Sequence, residues 1–226
     1  MPDAHPIQRF LSELSDFREY PPDVTPVPEQ LPGTAAFAAS AGVFRPPKST
    51  KLPPFPYEGL MVIGHNIDSI DNYEIRRQSG LSHGDRVPGY RTMSTWVGLY
   101  RLLDLAGVPL NRFFFSNVYV GLKKGRPTGR FTSHSAPIYR EFCRDFLGQQ
   151  VTEMQPSVVL VLGEPAWSEL CSVMDTPPWP AGRLPRPAVA RVTLYGHQTL
   201  IVAGHHTAIP KRIAADGAAV RSAWNG

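Results

Sequence analysis

Two adjacent histidines follow an apolar run in TLIVAGHHTAIPK, residues 199 to 211, and a proline suited to open a helix comes four residues later. Three readings compete for His205 and His206: a metal site, a catalytic imidazole, or a pair that ends a strand and faces water. Successive strand residues point to opposite sides, so neighbouring imidazoles chelate one metal poorly. His65, His83, His134 and His197 are scattered and supply no HxxxH spacing. Two asparagines stand in comparable places, Asn66 in VIGHNIDS and Asn117 in FFFSNVYVGL. A side-chain amide carries donor and acceptor together, so Asn117 can read a polar ligand edge and Asn66 can orient a water. Either can equally satisfy a turn. Asp68 and Asp71 are better suited than an amide to activating water, unless they are solvated loop acids.

For these residues to meet, the elements that carry them must end at one edge. GLMVIGH (59–65), FFFSNVYV (113–120), SVVLVLG (157–163) and LIVAGH (200–205) read as buried strands. RVTLYG (191–196) is a weaker candidate, a hairpin partner for the last. Helical spacing recurs over 91–106 and 136–154, and further helices open at Pro165 and Pro210. Strands alternating with helices, with nearly continuous apolar strands, predict an α/β fold: three layers, α/β/α, around a central, mainly parallel four-stranded sheet. The C-terminal ends of parallel strands share an edge, where ligands bind in open α/β sheets. His205, Asn66 and Asn117 are therefore expected to line one cleft.

The chain has 226 residues and a net charge of +4, enough for one domain, with a mild bias toward a polyanionic partner. Residues 1–56 hold half of the 24 prolines. They read as an arm wrapped on the surface, with one amphipathic helix presenting Ile7, Phe10, Leu11 and Leu14, and 57–226 reads as the domain. The absence of a long apolar run or signal peptide predicts a cytoplasmic protein with no membrane contact. Only Cys143 and Cys171 are present, too few for the four thiolates of an iron–sulfur cluster, and both read as reduced core thiols. A second proline-rich stretch, TPPWPAGRLPRP (176–187), reads as a long loop of the kind that is often functional.

Taken in order, VIGHNIDS, FFFSNVYVGL, VVLVLGEPAW and VAGHHTAI resemble the motifs of the uracil-DNA glycosylase superfamily over roughly residues 57 to 215. The resemblance places Asn66 on the family's water-positioning residue and Asn117 on its base-reading asparagine. His205 falls on the histidine of the closing motif and Thr207 on its serine. It implies a monofunctional DNA glycosylase without cofactor or metal, acting as a monomer on a flipped-out base. Gly64, His65, Tyr73 and Phe115 would lie around that base, although core packing competes for Phe115. Ile67 stands where the first motif has a proline, and His206 and Ala208 where the closing motif has prolines, so the rigid wedge of the family is altered. Asp68 replaces a tyrosine that closes the pocket beside pyrimidine C5. An open C5 side follows, suited to a 5-substituted pyrimidine; for a hypermodified phage base the role would be defence rather than repair.

DNA grip has its own candidates. GLKKGRPTGR carries Lys123, Lys124 and Arg126 with no acid between them. Lys211 and Arg212 occupy the first turn of the last helix, where the macrodipole disfavours cations and a bound phosphate, helped by Thr207, would offset it. His206 belongs to the loop that would press on DNA. Two other readings stand beside excision: a DNA-binding module of the same fold without catalysis, and a small-molecule hydrolase on an open α/β sheet.

Overall fold

In the computed structural model of the protein, residues 6–26, 55–78, 95–125, 136–174 and 176–226 are described, with Leu11, Ile67, Asp68, Tyr73, Arg76 and Arg77 described by backbone alone. One six-stranded sheet organises them, in the order β1-β3-β2-β4-β6-β5. Its strands are β1 (Val24–Thr25), β2 (Leu60–Ser69), β3 (Phe113–Lys123), β4 (Val158–Leu162), β5 (Ala188–Leu194) and β6 (His197–Gly204). The four predicted strands, β3, β2, β4 and β6, are contiguous and mutually parallel. The sheet is nevertheless mixed and wider than expected, because β1 and β5 pair antiparallel at its two edges. β5 is the hairpin partner foreseen for the last strand. β1 is only two residues long, too short to show an alternating pattern.

Alternation of side chains splits the core into two layers. On one face Met61, Ile63, Phe114, Val159, Val161 and Ile201 pack under α1 (Pro6–Asp16), α4 (Pro137–Met154) and α5 (Glu164–Leu170). On the other, Leu60, Val62, Phe113, Phe115, Leu160 and Val202 pack under α3 (Thr95–Ala106) and α6 (Ile213–Asn225). The short α2 (Ile70–Gln78) follows β2 directly. No helix among the described residues is long and apolar enough to cross a membrane.

The described part of the N-terminal arm is core rather than wrapping. Ile7 and Phe10 are almost wholly buried, and the Phe10 ring meets Phe55, Phe114 and Phe146 at centroid distances of 6.0, 6.4 and 5.9 Å. Arg9 pairs with Glu153 of α4. The amphipathic spacing was legible, but proline-rich flanks mask how deeply such a helix docks. Both cysteines are free; burial pushes the Cys143 thiol up to about 12, which suits a packing role.

Candidate active site

Register sets a single line of residues across the parallel strands. Asn117 pairs with Gly64, Ile63 with Val161, and Leu162 with Gly204, so Asn117, Gly64, Leu162 and Gly204 lie in one row at the C-terminal edge. From β3 to β6 that row spans three strand spacings, about 14 Å. His205 comes one residue beyond its end. β2 and β3 continue past the row, to Ser69 and Lys123, with a register irregularity between Asn66 and Asp68.

At the β6 end His205 is held by an acid that the sequence did not flag. Asp216 of α6 accepts the backbone N–H of His205 at 2.9 Å. Its two carboxylate oxygens lie 2.9 and 3.2 Å from His205 Nδ1. The carboxylate side chain is 2% exposed and the imidazole 14%. Such a partner favours the proton on Nδ1 and leaves Nε2 as the ring atom that no described residue engages. Asp216 shares the inward face of α6 with Ile213, Gly217, Val220 and Ala223. An acid on an otherwise apolar helical face was the signal for it. Gly204 makes room: a Cβ there would meet Leu160 Cδ1 at 2.7 Å.

The turn after His205 is anchored to α3. Thr207 is buried, and its hydroxyl donates to the Thr95 carbonyl at 2.8 Å. Gly98 lies against the Thr207 carbonyl, where a Cβ would collide with it. Expected in phosphate binding, Thr207 instead pins the loop, because its hydroxyl is engaged inside the protein. His206 is exposed, with Nδ1 accepting the Ala208 N–H at 3.3 Å.

At the β3 end Asn117 is 1% exposed, yet neither its amide nitrogen nor its oxygen has a hydrogen-bond partner among the described residues. A buried amide left unsatisfied costs about 1–3 kcal/mol, so its retention calls for an explanation. Gly64 accommodates it: a Cβ on Gly64 would stand 2.5 Å from Asn117 Oδ1 and 3.3 Å from Phe115 Cζ. Gly64, Phe115 and Asn117 therefore share the α3/α6 face, the face on which Asp216 also lies. Phe115 is buried with its ring 4.6 Å from that of Trp96, which makes it part of the core rather than a free stacking surface.

His65 turns to the opposite face, edge-on to Tyr119 at 5.4 Å. Burial holds its imidazole below the ordinary range, while Glu169 and a hydrogen bond with the half-buried Asn66 oppose that shift. His65 thus braces Asn66 rather than facing Asn117. The side chains of Asp68 and Tyr73, and all of Arg126, lie outside the described residues.

The cations are distributed around this edge. Lys123 ends β3 and Lys124 follows it, with Lys124 Nζ donating to the Pro22 carbonyl at 2.6 Å. Lys211 and Arg212 are exposed in a single 3-10 turn, Pro210–Arg212, which delays the start of α6 to Ile213. The structure thus brings His205, Asn66 and Asn117 to one edge, with Asn117 and the Asp216 partner of His205 on the same face. Compared with models of known protein families and with curated proteins, the chain matches none.

Proposed function

We propose that the protein is a monofunctional DNA glycosylase that hydrolyses the N-glycosidic bond of an extruded pyrimidine, uracil or a 5-substituted base, and leaves an abasic site. One observation carries the reading: a buried side-chain amide whose donor and acceptor are engaged by no described residue stands beside a glycine, in the row of the sheet that leads to the His205–Asp216 pair just beyond β6. An amide so placed matches the alternating donors and acceptors on the Watson–Crick edge of a flipped base. The order of the four motifs supports the same assignment.

Within this reading each group has a task. As the bond from C1′ to the base breaks, its electron pair leaves with the base. A protonated His205 donates a hydrogen bond from Nε2 to the departing anion and keeps its proton, and the Asp216 carboxylate balances the imidazolium. One preorganised donor of this kind is worth about 2.7–4 kcal/mol. Water, oriented by Asn66, adds at C1′, and its proton ends on the released base. No lysine lies in the motifs to form a Schiff base, so strand cleavage is not part of the reaction.

A His–Asp pair alone also suits hydrolysis of a small molecule. The Asn117 amide and the cations around the edge favour a nucleotide in DNA. Incubating the protein with oligonucleotides that carry uracil or 5-modified cytosines, single- and double-stranded, tests the assignment. Alkali-labile abasic sites and a free base detected by mass spectrometry are expected, and the rate of both should fall by about 10²–10³-fold with His205→Ala. No base released from any of these DNAs refutes excision; release of uracil alone removes the 5-substituted substrates.

A further inference from the structure

A turn on the far side of β6 is built with more care than a surface connection requires. The loop 176–187 contains five prolines and no acid. Pro180 to Arg183 closes on a hydrogen bond from the Arg183 N–H to the Pro180 carbonyl at 3.1 Å, with Gly182 at φ 80°, a value that glycine adopts freely. Glu164, the first residue of α5, holds the turn. Its carboxylate accepts the N–H of Gly182 at 2.6 Å, the N–H of Leu184 at 3.2 Å, and Arg186 at 3.0 Å. The negative charge of Glu164 is thereby matched by Arg186 and backbone dipoles. Behind the turn, Trp179 packs on the buried Trp167 at 5.5 Å.

Two contacts put this turn at the edge that carries His205. Ala188, where the loop enters β5, pairs with Ala203, and the Gly163 N–H beside Glu164 donates to the Gly204 carbonyl at 3.1 Å. Arg183 is exposed, and no described residue engages its guanidinium. A free cation on a preorganised turn loses little conformational entropy when it meets an anion.

We infer that the 180–183 turn is a DNA backbone clamp, in which Arg183 holds a phosphate a fixed distance from the extruded nucleotide. This inference rests on the glycosylase reading, since that reading supplies the DNA. The loop lies beside β5, two to three strand spacings, about 10–14 Å, from the middle of the Asn117–Gly204 row. For a row lying along the duplex axis, with 3.4 Å of axis per nucleotide of one strand, that is about three to four steps. Arg183 completes the set of cations on the β6 side with Lys211 and Arg212, opposite Lys123 and Lys124.

The test uses the full chain carrying His205→Ala, so that binding is read without turnover, on a duplex with one target base. Affinity is measured over a salt series for this protein and for versions that add Arg183→Ala or Arg183→Lys. Loss of one phosphate contact should flatten the slope of log K against log salt by about 0.9, and lysine should restore it. A scan of single neutral methylphosphonates should find a position about three to four nucleotides from the target whose substitution weakens the Arg183 protein but not the Arg183→Ala protein. An unchanged slope, or no position with that behaviour, overturns the clamp and leaves excision standing. If the protein has no salt-sensitive affinity for DNA at all, both readings fall together.

Discussion

The two ends of the parallel sheet satisfy their polar groups in different ways. At the N-terminal end the partners are main-chain carbonyls: His197 Nε2 lies 3.1 Å from the Pro156 carbonyl, and Ser157 donates to the Glu58 carbonyl at 2.9 Å. Arg112 reaches the same Glu58 carbonyl at 3.3 Å. At the C-terminal end a histidine instead meets a buried carboxylate, and an asparagine amide meets no polar partner among the described residues. A histidine bonded to a carbonyl is a brace with fixed, neutral surroundings. One bonded to a carboxylate has an acid side chain beside its ring. On the proposed function, the contrast separates the end that holds the fold together from the end that would carry the reaction.

Substitution should widen that contrast most at His205. With His205→Ala, excision is expected to fall by about 10²–10³-fold, the value of one preorganised donor, as measured by single-turnover base release. Asp216→Asn should cost a comparable factor, because the amide no longer balances an imidazolium. Equal turnover in both variants would move the chemistry away from this end. At Asn117 activity and stability should part. Asn117→Leu keeps a similar volume and removes the two unsatisfied atoms, so the protein should gain up to about 1–3 kcal/mol in denaturant unfolding while losing base release. A loss of stability would mean that the amide has a structural partner.

Smaller effects probe the supports. Gly98→Ala forces α3 away from the Thr207 carbonyl and should cost about 1–3 kcal/mol in thermal unfolding, with slower turnover because the His205 loop shifts. At the other end, His197→Ala should cost about 1 kcal/mol and leave turnover intact. The least effect is a pH dependence at His65. Burial lowers its pKa from the ordinary 6.5, so the unfolded chain takes up that proton first. The stabilising contribution of neutral His65 is whole above pH 6.5 and is lost as pH falls through the folded value. Urea titrations at pH 7.5 and 5.5 should show a smaller acid loss in His65→Gln.

Apolar runs revealed the four parallel strands because burial on both faces leaves no polar alternation to misread. The helices were legible from apolar spacing over 136–154 and from the proline start at Pro165, whereas the start expected at Pro210 is a 3-10 turn ahead of α6. Two features were not. β1 is an edge pairing that depends on where β3 ends, and a two-residue segment carries no period of its own. Asp216 lies eleven residues from its histidine, across a turn whose geometry no local spacing encodes. Asn66, Asn117 and His205 were visible because each is a polar residue just after an apolar run. Their arrangement was not, since register decides which residues stand level and which face each side chain takes. That is why Asn117 and His65, both near strand ends, part to opposite layers.

Both members of the His205–Asp216 pair come from a single stretch of twelve residues, the end of β6, one anchored turn and the start of α6. Their alignment is therefore carried as one continuous cassette. New chain ends placed in an exposed connection elsewhere, as in a circular permutation, would leave that alignment intact. Lengthening the link between positions 205 and 216 by even a few residues would dismantle it.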